Sequence, residues 1–368
     1  MTIWAGQRLR QNRALYALAR SGLIAILATF FCVAGCTPSI GGGDGGGDGN
    51  GGGGSGGNTV DFLDGPRLLA AGGDNILTFR RDDTLTGNVA PAMNLVGSAT
   101  ELVDVKGIAV NSAGELIVLT AQPNASQPDI VINVYADARR LNGNQAPVRQ
   151  VRDTGIAQLS VRSIAMDVNR DMLYILISPP GLGAPSIAMY EGTAGPGFDN
   201  ERGPDRTITS PDLDRPTEMF VTVDDQLYVG GEREINVFTD VSTKEGEQDA
   251  DHRIFGISGD FVFGLAIDGN DTLYSLGSAG FIDQVTEIST QQDAVTRAAQ
   301  IEILDASFPG ELVLDSAGTA YFVSSARILA YDDVSTLDGE QTPTREISGD
   351  MTELISTING GADLLVLD

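Results

Sequence analysis

An all-β ring is the fold class this sequence predicts, and three observations carry the prediction. From Gly65 onward a strand–turn–strand pattern returns with a period of roughly 46 to 57 residues, a spacing that belongs to repeat architectures and within them to radial β-sheets. Each copy is followed by two further strand candidates, which makes a four-stranded unit. The chain then ends on Ala362-Asp363-Leu364-Leu365-Val366-Leu367-Asp368, the first strand of a unit that stops. Together these give a six-bladed β-propeller of four-stranded antiparallel blades, closed where the C-terminal strand joins the N-terminal blade.

The chain begins with a segment of another kind. Residues 1 to 35 hold Arg8, Arg10, Arg13 and Arg20 and no acid, and Gly22 to Ala34 are a short apolar run. That run is too short to span a bilayer comfortably and has the length of a signal-peptide core. It ends in Val33-Ala34-Gly35-Cys36, which resembles the lipobox of bacterial lipoproteins. The resemblance implies cleavage after Gly35, a diacylglyceryl group on the Cys36 sulfur and an acylated new amino terminus, palmitate among the expected chains. Several acyl chains anchor a protein stably. Thr37 rather than Asp after the cysteine resembles lipoproteins of the outer membrane, so the expected location is the bacterial cell envelope, periplasmic or surface-facing.

Gly41 to Gly57 read GGGDGGGDGNGGGGSGG, with no side chain able to pack. Seventeen such residues behave as a coil with a root-mean-square span of roughly 20 to 25 Å. The domain plan is therefore a signal peptide over 1–35, a flexible, disordered tether over 36–60 and a propeller over 61–368. No Lys-Ser/Thr follows the glycines, so the tract is not a phosphate loop.

Within the propeller the opening strand pairs are clearest at Gly107 to Val118, Ser163 to Ile175, Met219 to Val229, Gly264 to Tyr274 and Glu311 to Val323. Each apolar run ends in Asp, Asn or Thr and turns through Gly, Asn or Asp, residues that supply positive φ or local side-chain hydrogen bonds. Third strands follow near 130, 186, 234, 284 and 327, and Pro147-Val-Arg149, Pro204-Asp-Arg206 and Pro343-Thr-Arg345 open fourth strands. Arg67 to Ala71, Asn75 to Phe79 and Ala92 to Val96 form three strands that lack an opening strand. Pairing them with the C-terminal heptapeptide removes an exposed edge and completes a sixth blade. A seven-bladed ring or two smaller β domains is the alternative. The copies resemble NHL repeats and related six-bladed propellers in the strand–turn–strand signature, while Gly231-Glu-Arg233 and Ser325-Ala-Arg327 keep only the arginine of the NHL consensus.

The formal charge is −27, and removal of residues 1 to 35 leaves 19 basic against 50 acidic side chains, a net of −31. Such a surface repels phosphate backbones, so nucleic acid is excluded as a partner. Cys32 and Cys36 are the two cysteines, so neither a disulfide framework nor a cysteine nucleophile is available to the propeller.

Candidate chemistry is sparse. Asp167-Val-Asn169-Arg-Asp171 and Asp268-Gly-Asn270-Asp271 carry the start of a calcium-loop spacing, but Gly does not follow Asp171 and Ser178 stands where the closing Glu belongs. Both read as hairpin turns. His252 is the single histidine, placed in a polar loop among Asp249, Asp251 and Arg253, which rules out a multi-histidine metal centre. Arg149, Arg206, Arg253 and Arg345 recur at equivalent positions, as do Asp240 and Asp333, and such recurrence within one chain fits structural pairing. No catalytic residue, cofactor or metal ligand is assigned.

The expected function is a non-enzymatic binding or scaffold module, tethered to the membrane through lipidated Cys36 and offering a propeller face to a protein or glycan. The alternative is a metal-dependent hydrolase similar to lactonase-type six-bladed propellers. That reading requires a cluster of Asp, Glu or Asn at the mouth of the central channel.

Overall fold

The computed structural model of the protein describes residues 65 to 368, except 83, 123 to 128, 154 to 160, 180 to 183, 258, 260, 305 to 308 and 355 to 362. The leader, Cys36 and the glycine tract lie outside the described residues. Among those described, no helix is long and apolar enough to cross a membrane.

Six antiparallel four-stranded blades form the domain. Blade 1 runs through Val105–Val110, Leu116–Gln122, Asp129–Tyr135 and Arg149–Asp153, and blade 2 through Val161–Asp167, Met172–Ile177, Ser186–Glu191 and Arg206–Thr209. Blade 3 comprises Glu218–Val221, Gln226–Gly230, Glu234–Thr239 and His252–Phe255, and blade 4 comprises Val262–Ile267, Leu273–Gly277, Phe281–Val285 and Ala299–Ile303. Blade 5 has Pro309–Leu314, Ala320–Ser324, Arg327–Tyr331 and Arg345–Ile347. In blade 6 the C-terminal Asp363–Leu367 is the innermost strand and Arg67–Gly72, Asn75–Arg80 and Met93–Val96 follow. Arg67 stands opposite Leu367 and Ala71 opposite Asp363, the end-to-end pairing expected from the orphan heptapeptide.

The hairpins joining first and second strands follow from one residue type. Asn111, Asp167, Asp268 and Asp315 close their strands, and one side-chain oxygen of each accepts two turn N–H groups at 2.8 to 3.1 Å. Thr222 does the same more weakly, accepting from Gln226 N at 3.2 Å. These are Asx- and Thr-type turns, in which the side chain substitutes for a ladder acceptor. Three or four residues later Asp171, Asp225, Asp271 and Gly318 take positive φ, a conformation that Asp and Gly tolerate.

Those left-handed acids do a second job. Asp171 holds Thr193 and Ala194, Asp225 holds Ser242, and Asp271 holds Ser289. In this way the segment after each third strand is clipped onto its own hairpin. In blades 3, 4 and 5 that segment is a single 3-10 turn, Val241–Thr243, Ile288–Thr290 and Val334–Thr336, whose first residue is buried. The near-identical loops after Asp240 and Asp333 are thus one structural device.

One feature exceeds the four-strand expectation. The loop between third and fourth strands crosses to the preceding blade and pairs in parallel with its outer strand: Asn200–Glu201 on blade 1, Gly246–Glu247 on blade 2, Asp293–Ala294 on blade 3 and Gly339–Gln341 on blade 4. Single bridges from Gly87 to Ile347 and from Gly143 to Leu95 continue the pattern on blades 5 and 6. All six outer edges are thereby paired, which protects them from edge-to-edge association.

The core is divided accordingly. Six apolar clusters fill the six spaces between neighbouring blades. The closing strand feeds two of them, with Leu364 and Val366 packing toward blade 5 and Leu365 and Leu367 toward blade 1. Inner strands approach closely here: a Cβ on Gly264 would stand 2.7 Å from the Leu312 backbone nitrogen of blade 5, so only glycine fits.

Candidate functional site: the central channel

The six innermost strands surround a cavity of about 920 Å³, within the range of small-molecule sites. Its wall is apolar because each inner strand places a half-buried aliphatic at the same register: Val110, Met166, Val221, Ile267, Leu314 and Val366. The ring of residues just before them is also apolar, dominated by alanines with Phe220, Val313 and Leu365.

One end of the channel differs. The first residue of the repeated inner-strand motif is Gly107, Ser163, Glu218, Gly264, Glu311 and Asp363 in blades 1 to 6. Three of the six are acids, three are small, and no base is among them. In blades 1, 2, 4 and 5 the ladder shifts register immediately before or at this position. Such bulges re-aim a side chain locally.

Hydrogen bonds fix the three acids. Glu218 accepts from the Ser163 hydroxyl across the blade boundary and from Met219 N at 2.8 Å. Asp363 accepts from the Ile108 N–H of blade 1 and lies in hydrogen-bond contact with Glu311 of blade 5. Removal from water pushes Glu218 up to about 8, with the Asp363 charge adding to the rise. Burial likewise drives Glu311 well above the carboxylate range, reinforced by the charges of Asp363 and Glu218. Asp363 rises too, again through burial, although its bonds to Glu311, Ile108 and Leu364 pull the other way.

The opposite end is tied down. Arg139 donates to the carbonyls of Gly65 at 2.9 Å and of Asp368, so both ends of the described chain meet at this mouth. Arg81 bridges Asp315 and Asp368, and Ser316 N donates to Asp368 at 3.0 Å.

The residues singled out in the sequence lie elsewhere. Asp167, Asp171, Asp268 and Asp271 are occupied by turn and clip hydrogen bonds, as the hairpin reading expects. Arg149, Arg206, Arg253 and Arg345 pair with Glu115, Glu191, Asp212 and Asp332. Hydrogen bonds from Arg149 hold Glu115 below the usual carboxylate range. These are structural pairs on the outer strands, distant in kind from a unique site. His252 departs from the loop expectation: it begins the fourth strand of blade 3, is half-buried, and its Nε2 is enclosed without a hydrogen-bond partner. Strand pairing of His252 with Val237 draws it in, which its polar neighbours in sequence conceal.

Glu218, Glu311 and Asp363 were not singled out as a set by sequence reasoning. The signal was present, since acids replace Gly and Ser at one repeat position. The hydrolase alternative expects carboxylates at a channel mouth, and of these three acids Glu311 lines the cavity. Among the described residues, however, no three His, Cys, Asp or Glu side chains are arranged to hold a metal ion.

No family model matches the chain, and no curated protein matches it. Among solved structures, a protein of unknown function from Bacteroides caccae is similar at 9% identity with a TM-score of 0.53, over 82% of this chain and 99% of that one. The WD40 β-propeller domain of Doa1 aligns at 11% identity with a TM-score of 0.49, over 78% of this chain and 80% of the other. At such identities the likeness concerns the fold alone.

Proposed function

We propose that this chain is a lipid-anchored envelope protein whose propeller is a non-enzymatic binding module, with the central channel as its ligand pocket. The observation that carries the reading is the contrast between repeated and unique features. Charged groups that recur from blade to blade are consumed by clips and ion pairs, whereas the channel is a concave, largely apolar space with polar groups at its ends, the usual character of a ligand site. A protein or glycan ligand at a propeller face, engaging the channel mouth, fits that geometry. Anchoring rests on the leader, the Val33-Ala34-Gly35-Cys36 box and the glycine tether that follows.

The second reading, a metal-dependent lactonase-like hydrolase, is favoured by the acid trio. Purified protein assayed on lactones and esters with Mg²⁺, Ca²⁺, Mn²⁺ or Zn²⁺ is expected to give no turnover above buffer. Hydrolysis that depends on a metal and is lost in Glu218→Gln would replace the binding reading with the enzymatic one.

For the anchor, metabolic labelling with a fatty-acid probe decides. Wild-type protein should label and partition with membranes, and Cys36→Ala should do neither. Undiminished labelling of the alanine variant would remove the lipobox assignment while leaving the propeller reading intact.

A further inference from the structure

We propose that closure of the propeller is a proton-linked latch, in which Asp363 of the closing strand and Glu311 of blade 5 share a proton that holds the seam together. Two carboxyl groups form a hydrogen bond to one another only when at least one is protonated. The contact between Glu311 and Asp363 therefore specifies a proton as part of the folded seam. Asp363 also accepts the Ile108 N–H, so a single side chain stitches blades 5, 6 and 1. It stands at the start of the strand whose Leu364 and Leu367 are buried in the two seam cores.

The groups facing this pair leave no other source of compensation among the described residues. Blade 3 contributes Glu218, a third acid, and blade 2 contributes the Ser163 hydroxyl, already donated to Glu218. Blades 1 and 4 place Gly107 and Gly264 at the equivalent positions. No basic side chain is among the groups acting on the three carboxyls. Loss of the shared proton therefore sets like charges against each other at a half-buried site, across the junction where the two ends of the domain meet.

The direction of the effect follows. Burial raises both latch carboxyls above their ordinary values of 4.5 and 3.8, so in the window from those values up to the raised folded-state ones the folded chain binds more protons than the unfolded one. Stability is then fully present below that window and is lost as pH rises through it. The carboxylates held low by arginine and threonine partners, such as Glu115 and Asp82, act in the opposite sense and at more acidic pH. They do not mask the fall.

The test is the thermal midpoint of the full-length chain from pH 5 to pH 8.5, with native-state hydrogen exchange alongside. Wild type should lose about 5 °C or more across that range. Glu311→Gln, which keeps a hydrogen donor at every pH, should flatten the profile by at least half, and Asp363→Asn should do likewise. His252→Gln, which removes the single histidine and lies away from the seam in blade 3, should leave the slope as it is. After correction for intrinsic rates, amides of residues 363 to 367 should lose about tenfold protection between pH 5.5 and 8.5, while those of Glu234–Thr239 in blade 3 hold theirs. A glutamine variant with the wild-type slope overturns the latch. Should that variant not fold, equal loss of protection at the seam and in blade 3 of the wild type overturns it as well.

Discussion

Deletion of residues 363 to 368 is expected to prevent the domain from folding at 37 °C or to lower its thermal midpoint by more than 10 °C. The strand supplies all five pairings that close the ring onto Arg67–Gly72. Leu364 and Leu367 are 2% and 9% exposed, and they fill different cores, with Leu365 and Val366 packed beside them. Burial of these four side chains contributes on the order of 6 kcal/mol, a large part of the roughly 5 to 15 kcal/mol that separates a folded domain from its unfolded state. Deletion also opens the inner edge of blade 6 and strands Arg81 and Arg139, both of which bond Asp368. An ordinary tail does none of this. Circular dichroism melting of the truncated chain gives the answer, and a midpoint within about 2 °C of wild type would mean that the ring does not depend on its closing strand.

Arg81→Met should be the most damaging single polar-to-apolar change, at about 3 kcal/mol. The guanidinium lies at the end of the third strand of blade 6, 8% exposed, and pairs with Asp315 of blade 5, 2% exposed, as well as with Asp368. Removal leaves Asp315 buried without its counter-ion, and that uncompensated charge, rather than the loss of attraction, dominates the cost. The double variant Arg81→Met, Asp315→Asn should therefore recover about half of the loss, because the orphan charge is gone while the turn acceptor for Ala317 and Thr319 survives. Urea denaturation measures both. A double variant less stable than the single one would show that Asp315 matters through its hairpin and not through the ion pair.

Much of this architecture was legible because each blade repeats the same local chemistry. An apolar run that stops at Asn111, Asp167, Asp268 or Asp315 announces an Asx turn, and these four, with the Thr222 turn between the second and third of them, leave few alternatives to a ring. The unpaired first strand at the carboxyl terminus and three strands without a leader at the start of the domain point to one another by elimination. The acid trio was visible as a substitution pattern, Glu, Glu and Asp where other repeats carry Gly or Ser. Its meaning was not visible, because blades 3, 5 and 6 converge only around the channel axis, and no local spacing connects Glu218 to residues 93 and 145 positions later.

The blade-crossing segments show the same limit from another side. Asn200–Glu201 and Gly246–Glu247 read as parts of polar loops, with none of the alternation that marks a strand. They become strands only because the preceding blade presents an outer edge with unsatisfied N–H and C=O groups. His252 was misplaced for the same reason, its polar neighbours suggesting a loop while pairing with Val237 puts it in a sheet.

Sequence by itself determined the blade unit, the number of blades and the strand that closes them, since these follow from periodicity, turn residues and apolar alternation, all of which are local. Only the tertiary structure decided which acids meet in the channel, which edges are covered by neighbouring blades and which arginine locks the seam. Those depend on distances between residues far apart in the chain, and they are fixed by the curvature of the closed ring rather than by any segment within it.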